Sequence, residues 1–426
     1  MRLPALSRRG LLLGLATLLA AAPAPSLASP DASLVEAVAL DGSVTRGALS
    51  ALGSRVTLSV DGAARTLEVA ALRELRTVSS PARVVVDRLR VTLVGGEVLL
   101  AESWGPAPDG IELASAALGK VVVPLDALRC LEPLPARAGP CHEPAARFPR
   151  AEGRDRAALA GGDELTGTLL AIEAQGPAFE VERGRERKVA WPDLLVAQLD
   201  NPAPPPREGM VTEVETSTGD LLHSLTQVTG DGEALVVPLA SDAAIAVRVP
   251  LGHVREVRWH GGAHPCVDAT TLPFEALTRP LLEPPAGSLA ADFLARERGV
   301  RVGRRPRGCP LRLDGVSYAR GLAVHSGSTV TLPLAGRFAR FEALVGIDDE
   351  AEEEGRGRVE VPGDVDVRVL GDGKVLWEAK GVKGLESARK VALDVRGVQS
   401  LVLAVDWGGH DDVLDRVTWA RPLLVR

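Results

Sequence analysis

The stretch "RGLAVHSGSTVTLPLAG", Arg320 to Gly336, decides the fold of the second half of the chain. An apolar run ends at His325, a Ser-Gly-Ser turn follows, and then Val330, Leu332 and Leu334 alternate with Thr329, Thr331 and Pro333. Strict alternation places every second side chain on one face, which is the pattern of a half-buried strand. His325 is one of seven histidines among 426 residues. Its place at a strand end opens three readings: catalytic group, ligand contact, or a histidine bonded to buried backbone.

The same period runs outward from this point. Phe341, Ala343, Val345 and Ile347 form the next inward set, then Val365, Val367 and Val369 between Asp364, Asp366 and Arg368. "LGDGKVLW" is a hairpin with Gly371-Asp372-Gly373 at its tip. Val391, Leu393 and Val395 follow, then Leu401, Leu403 and Val405, then "DRVTWARPLLV". About eight short strands with almost no helix predict a jelly-roll β-sandwich over residues 288–426. Trp377 and Trp419 fall on inward positions of it.

Residues 33–260 read as one sentence written four times, two copies in 33–135 and two in 150–260. Each copy opens on a hairpin signal, as in "AVALDGSVTRGAL", and ends on a strand entering a short helical turn, as in "VVVPLDALRCL". Pro124, Pro192 and Pro250 align, with apolar residues four and seven positions later. Recurrence at this spacing marks an array of small units, expected as bent antiparallel barrels like SH3 or Sm barrels, packed on one another. They show no phosphate loop, paired-cysteine motif or nucleophile elbow. His223 and His253 are isolated, and Trp104, Trp191 and Trp259 read as packing groups. This half reads as a scaffold, with a protein partner as its expected use.

Positions 1–28 read as a signal peptide: Arg2, Arg8 and Arg9, an apolar segment from Leu11 to Ala22, then small residues at Ser26 and Ala28. Ser7-Arg8-Arg9 before Leu11 and Leu12 resembles a twin-arginine signal. The apolar segment is shorter than the roughly 20 residues a bilayer span needs, so no transmembrane anchor is expected once it is removed. Export to the periplasm, cell surface or medium is the expectation. In an oxidising compartment Cys130, Cys141, Cys266 and Cys309 read as a disulfide set, with Cys130–Cys141 and Cys266–Cys309 favoured by proximity. The competing reading, a metal held by His260, His264 and Cys266 in "HGGAHPC", lacks a helix to set the spacing. Residues 261–287 read as a Pro-rich linker. A net charge of −7 argues against nucleic acid as a partner.

"LDGVSYARGLAVHSGSTVTLPLAGRFARFEALVGIDDE", "VDVRVLGDGKVLW", "VQSLVLAVDWGG" and "DRVTWARPLL" together resemble the NPCBM family of carbohydrate-binding modules, known from glycosidases. The landmarks fall in order: Tyr318, Gly321 and His325; Phe341, Gly346 and Asp348; Asp372-Gly373 before Val375 and Trp377; Asp415 with Trp419. The resemblance implies a galactose-binding-like sandwich and non-catalytic sugar binding, with galactose-containing glycans as ligands of some relatives. The segment from Asp415 to Trp419 departs from the family by losing a His and an Asp, and "DDEAEEEGRGR" is longer and more charged than usual.

Sugar binding needs an exposed aromatic face and convergent polar groups. "DWGGHDD" offers Trp407, His410, Asp411 and Asp412 around two glycines, and Tyr318 and His325 belong to the family-like segment. Trp407 reads equally as a strand-end core residue. The six arginines from Arg296 to Arg307 suit an anionic glycan or an ion-paired surface. No cofactor is required; a structural Ca2+ at Asp348 and Asp349 is the one that the resemblance admits. The expected function is therefore an exported, non-catalytic glycan-binding protein. The alternative is a structural envelope or interaction scaffold that binds no sugar.

Overall fold

The computed structural model describes residues 34–78, 88–134, 153–182, 184–202, 209–305, 310–349, 363–384, 386–409 and 412–426, without the Arg296 side chain. Strands dominate every part of it, and Leu289–Arg298 is the one α-helix among these residues. The chain is all-β, as its periodicity predicts.

Four copies of one chain path make up the first half. In the first, strands Leu34–Ala39, Val44–Leu52, Arg55–Val60 and Ala63–Glu68 form a meander. A single 3-10 turn, Val69–Ala71, then sends Leu72–Thr77 back onto the opening strand, with Ala37 opposite Leu75. The other copies repeat the turn at Leu125–Ala127, Trp191–Asp193 and Leu251–His253 and close with Val91 opposite Leu131, Ala157 opposite Ala197 and Val214 opposite Val257. Pro124 and Pro250 directly precede their turns, whereas Pro192 lies inside its turn, two positions out of step with the expected alignment. The proline ring restrains φ to the helical side and removes an N–H that would have no partner there, so it enters a helical turn at no hydrogen-bond cost. The apolar residues four and seven later, Leu128 and Leu131, Val254 and Val257, are buried in the closing strands; after Pro192, Val196 is buried in its strand and Leu199 is buried just past the strand end at Gln198.

The units are antiparallel sheets that do not close into barrels, and they are joined in pairs. The closing strand of the first unit also pairs with that of the fourth, Val257 opposite Leu75, and the second with the third, Leu131 opposite Ala197. A closing strand that gives its free edge to a neighbour satisfies its backbone without bending round on itself. One hydrophobic cluster accordingly runs through all four copies. Trp104 and Trp191, from the second and third units, meet edge to face at 5.7 Å.

Two sheets face each other in the second half. One runs Arg301–Val302, Gly321–His325, Arg416–Val425, Arg340–Ile347, Arg389–Asp394; the other runs Glu275–Thr278, Ser328–Pro333, Ser400–Trp407, Asp364–Gly371, Lys374–Lys383. The predicted inward sets line the space between them, with Phe341, Val367, Leu401 and Trp419 fully buried. Residues 261–287 are not simply a linker. Cys266–Asp268 adds to the first sheet, with Cys266 opposite Val425, and Glu275–Thr278 forms the edge of the second. The prolines around these short strands hide their alternation, and their partners lie far off in sequence. Leu289–Arg298 is capped by Ser288, whose Oγ accepts from the Ala291 N–H at 3.2 Å.

A charged seam joins the halves. Arg320 of the sandwich bonds Glu213 of the fourth unit and Asp268 at 2.7 Å; Arg73 of the first unit bonds Glu342; Arg421 bonds Glu256. His264 is held at both ring nitrogens within this seam: Nε2 donates to the Leu72 carbonyl at 3.0 Å, and Nδ1 accepts from the Cys266 N–H at 3.2 Å. Both nitrogens are therefore occupied by backbone.

Candidate functional site

His325 ends its strand opposite Arg416, and the next two residues turn the chain into the facing sheet. The turn needs Gly327, whose φ is +75°. It also needs the absence of a side chain: a Cβ there would lie 2.1 Å from the Arg279 carbonyl and 2.7 Å from Cζ2 of Trp407. The Trp407 ring therefore rests on this turn, half-buried, with its Nε1 buried and without a hydrogen-bond partner.

Around this contact the sandwich end is rich in carboxylates. Ser326 donates its N–H to the Asp415 carbonyl at 3.1 Å. Asp415 is fully buried, with Oδ1 accepting from the Asp364 N–H at 3.0 Å and Oδ2 unpartnered. Burial pushes its carboxyl up to about 6. Asp364 in turn accepts from the Gly409 N–H at 3.3 Å, and its carbonyl takes the Gly408 N–H at 3.0 Å. A Cβ on Gly408 would meet that carbonyl at 2.4 Å, so the loop after Trp407 closes on Asp364 only with glycine there.

Arg298, at the end of the helix, pairs with Asp412. Burial would raise the Asp412 carboxyl, but the Arg298 guanidinium outweighs it and holds the group below its ordinary value. Burial first, and the Arg298 charge second, push His325 down to about 4, so its imidazole is neutral at physiological pH. Its Nδ1 lies 3.2 Å from Ser326 Oγ. That contact is not a nucleophile and base: Ser326 is fully buried, and the adjoining cavity of about 10 Å³ has room for roughly one water. The arrangement can hold polar groups at a shallow surface.

The structure thus brings His325, Trp407 and Asp412 to one end of the sandwich; His410 and Asp411 lie outside the described residues. Tyr318 is not with them. It precedes the opposite end of the His325 strand, buried between the guanidinium groups of Arg255 at 5.4 Å and Arg421 at 5.3 Å. Asp348 and Asp349 do not fit a calcium ion. Asp348 is buried and accepts from Arg305 at 2.7 Å, the Arg312 N–H at 2.9 Å and Thr418 at 2.7 Å. Asp349 accepts from the N–H groups of Asp314 and Gly315 at 3.0 and 2.7 Å. Donors already hold these oxygens, and no group of three metal-ligating side chains forms among the described residues. Part of the basic run is ion-paired in this way, through Arg298 and Arg305. Cys130 and Cys266 are buried, and Cys141 and Cys309 lie outside the described residues. Burial pushes the Cys266 thiol up to about 12.

Three members of the site escape sequence reasoning: Arg298, Ser326 and Asp364. No linear signal sets 298 beside 412, and Ser326 and Asp364 look like any turn residue and strand start. Asp415 is a landmark of the family-like segment, but nothing in the sequence gives it a role.

Residues 292–425 match the NPCBM/NEW2 domain. The chain is 29% identical over 113 residues to "Putative endo-alpha-N-acetylgalactosaminidase" of Renibacterium salmoninarum, covering 26% of this chain and 7% of that protein. It is 30% identical over 127 residues to "Alpha-1,3-galactosidase B" of Akkermansia muciniphila, covering 29% and 15%. The chain therefore spans less than a sixth of the length of either relative. Among solved structures it is similar to the CBM51 of Clostridium perfringens GH95 in complex with methyl-galactose, at 20% identity and a TM-score of 0.30, covering 38% of this chain and 99% of that one. The last third of the chain, residues 292–425, is an NPCBM/NEW2 domain.

Proposed function

We propose that this is an exported, non-catalytic protein that recognises or anchors to glycan through its C-terminal sandwich. The observation that carries the reading is the NPCBM/NEW2 match over the sandwich that holds Trp407, His325 and Asp412 at one end. The names of the two relatives, an α-N-acetylgalactosaminidase and an α-1,3-galactosidase, favour a galactose-containing ligand. Absence of catalysis is part of the proposal and rests on the buried state of Ser326 and the small volume beside His325. Export rests on the basic-then-apolar opening of the chain, and the repeat region would serve as scaffold or partner surface.

The test is binding of the full chain to an array of neutral and sulfated glycans, read to millimolar affinity, about −4 kcal/mol. Saturable binding to a galactose-containing glycan that Trp407→Ala abolishes is the expected result. Silence from the folded protein would sink the sugar reading and leave the scaffold reading; hydrolysis of any glycan would overturn the absence of catalysis.

A further inference from the structure

The seam between the repeat region and the sandwich encloses a cavity of about 170 Å³, far from the His325 end. One side of its lining is apolar, with Trp259, Leu344, Val391, Pro422 and Leu423. The other is charged: six cations, Arg73, Arg76, Arg258, Arg320, Lys390 and Arg421, against Glu74, Asp268 and Glu342. Each of these acids already has a cation, Arg73 on Glu342, Arg76 on Glu74 and Arg320 on Asp268. Behind the lining, Glu256 is held by Arg258 and Arg421, and Glu213 by Arg320.

The lining carries six cations against three acids, and with Arg340, Glu213 and Glu256 behind it cations still outnumber acids; Lys390 stands at the exposed rim with no ion pair among the described residues. The Nε atoms of Arg73, Arg76 and Arg421 are buried without a hydrogen-bond partner, so these guanidinium groups are not fully engaged by the protein. Burial, with Arg258 beside it, also pushes the Arg421 guanidinium down despite Glu256. An incompletely neutralised charge in a low-dielectric seam is costly, and an anion relieves that cost.

We propose that the seam cavity binds one monoanionic carboxylate on a sugar-sized ring, the carboxylate among the arginines and Lys390 and the C–H face against the apolar side. A carboxylate suits a lining in which cations outnumber acids, and the volume suits one ring rather than a chain. The carboxylate site stands on the seam geometry alone; the sugar ring as its carrier rests on the glycan reading above.

Calorimetric titration of the full chain with galacturonate, galactose and acetate tests it. Galacturonate should bind at least about tenfold more tightly than galactose, and weaken as salt rises. Lys390→Glu, at an exposed rim position that leaves the fold intact, should weaken it about tenfold. Arg76→Gln should weaken it in the same direction, and Trp407→Ala should leave it unchanged. Acetate binding as tight as galacturonate would support the anion site and assign it to the bare carboxylate. In the Trp407→Ala protein, where the other end is silenced, equal affinity for galacturonate and galactose, no galacturonate binding, or binding indifferent to an added Lys390→Glu would overturn the site. Loss of galactose binding in Trp407→Ala reports on the other end of the sandwich, so the two proposals fail separately.

Discussion

Arg421 reaches across the seam to Glu256 from a left-handed backbone, with φ of +51°. The register between Arg340–Ile347 and Arg416–Val425 shifts at this point, so the end strand bulges and turns the Arg421 side chain out of the sheet. A strained φ on a non-glycine residue persists where its surroundings hold it. Here the holding groups are Glu256 and the Tyr318 ring.

Removing Arg421 should therefore cost more than a surface ion pair would. Glu256 is 1% exposed and would lose one of the two guanidinium groups that pair with it, keeping Arg258. Arg421→Met should destabilise the protein by about 3 kcal/mol, and Glu256→Gln should couple to it by roughly 1–3 kcal/mol in a double-mutant cycle. Additive losses in urea denaturation would show the two side chains to be energetically independent.

His325 and Asp415 make opposing pH dependences at the other end. From pH 6.5 to about 4 the unfolded chain protonates His325 while the folded form resists, so acidification weakens the fold. From about 6 to 3.8 the folded form keeps a proton on Asp415 that the unfolded chain has released, so acidification strengthens it. Asp415→Asn removes the second effect. Its stability should fall more steeply than that of the wild type between pH 6 and 4, by about 2 kcal/mol over the window. Parallel melting-temperature profiles would mean that Asp415 titrates as an ordinary carboxyl.

Gly327 joins turn geometry to the site. With φ of +75° and a carbonyl 2.1 Å from where a Cβ would sit, Gly327→Ala should cost about 3 kcal/mol and displace Trp407. Tryptophan fluorescence and thermal melts read both effects. An unshifted melting temperature would mean that the turn relaxes freely.

The boundary of the sandwich is also testable. A fragment of residues 283–426 lacks both Cys266–Asp268 and Glu275–Thr278, leaving one edge of each sheet open. Residues 262–426 should give the more soluble fragment, with a higher melting temperature by roughly 5 °C or more. Equal stability would return 261–287 to the status of a linker.

Much of the fold is legible in the sequence because it follows local periodicity. The inward valines of 365–369 and the apolar pairs after Pro124 and Pro250 sit where alternation and turn chemistry put them. Contacts between distant segments are not legible. Cys266–Asp268 is a three-residue strand whose partner residues are Leu423 to Val425, at the far end of the sandwich sequence, and no pattern in "CVD" announces it. For the same reason Tyr318 looks like a neighbour of His325: sequence adjacency does not show that a five-residue strand separates two ends of a sheet. The seam arginines read singly as surface charge, since their acids come from other domains.

The strand Arg416–Val425 sits at the centre of its sheet, paired with Gly321–His325, Arg340–Ile347 and Cys266–Asp268. It is also the last strand of the sandwich to be synthesised. Until the ribosome has passed Val425, three strands wait without their common partner, and the final pairing must close the whole span from Cys266 to Val425. Such late, non-local closure makes for slow folding. The sandwich therefore cannot close before Arg416–Val425 has been made.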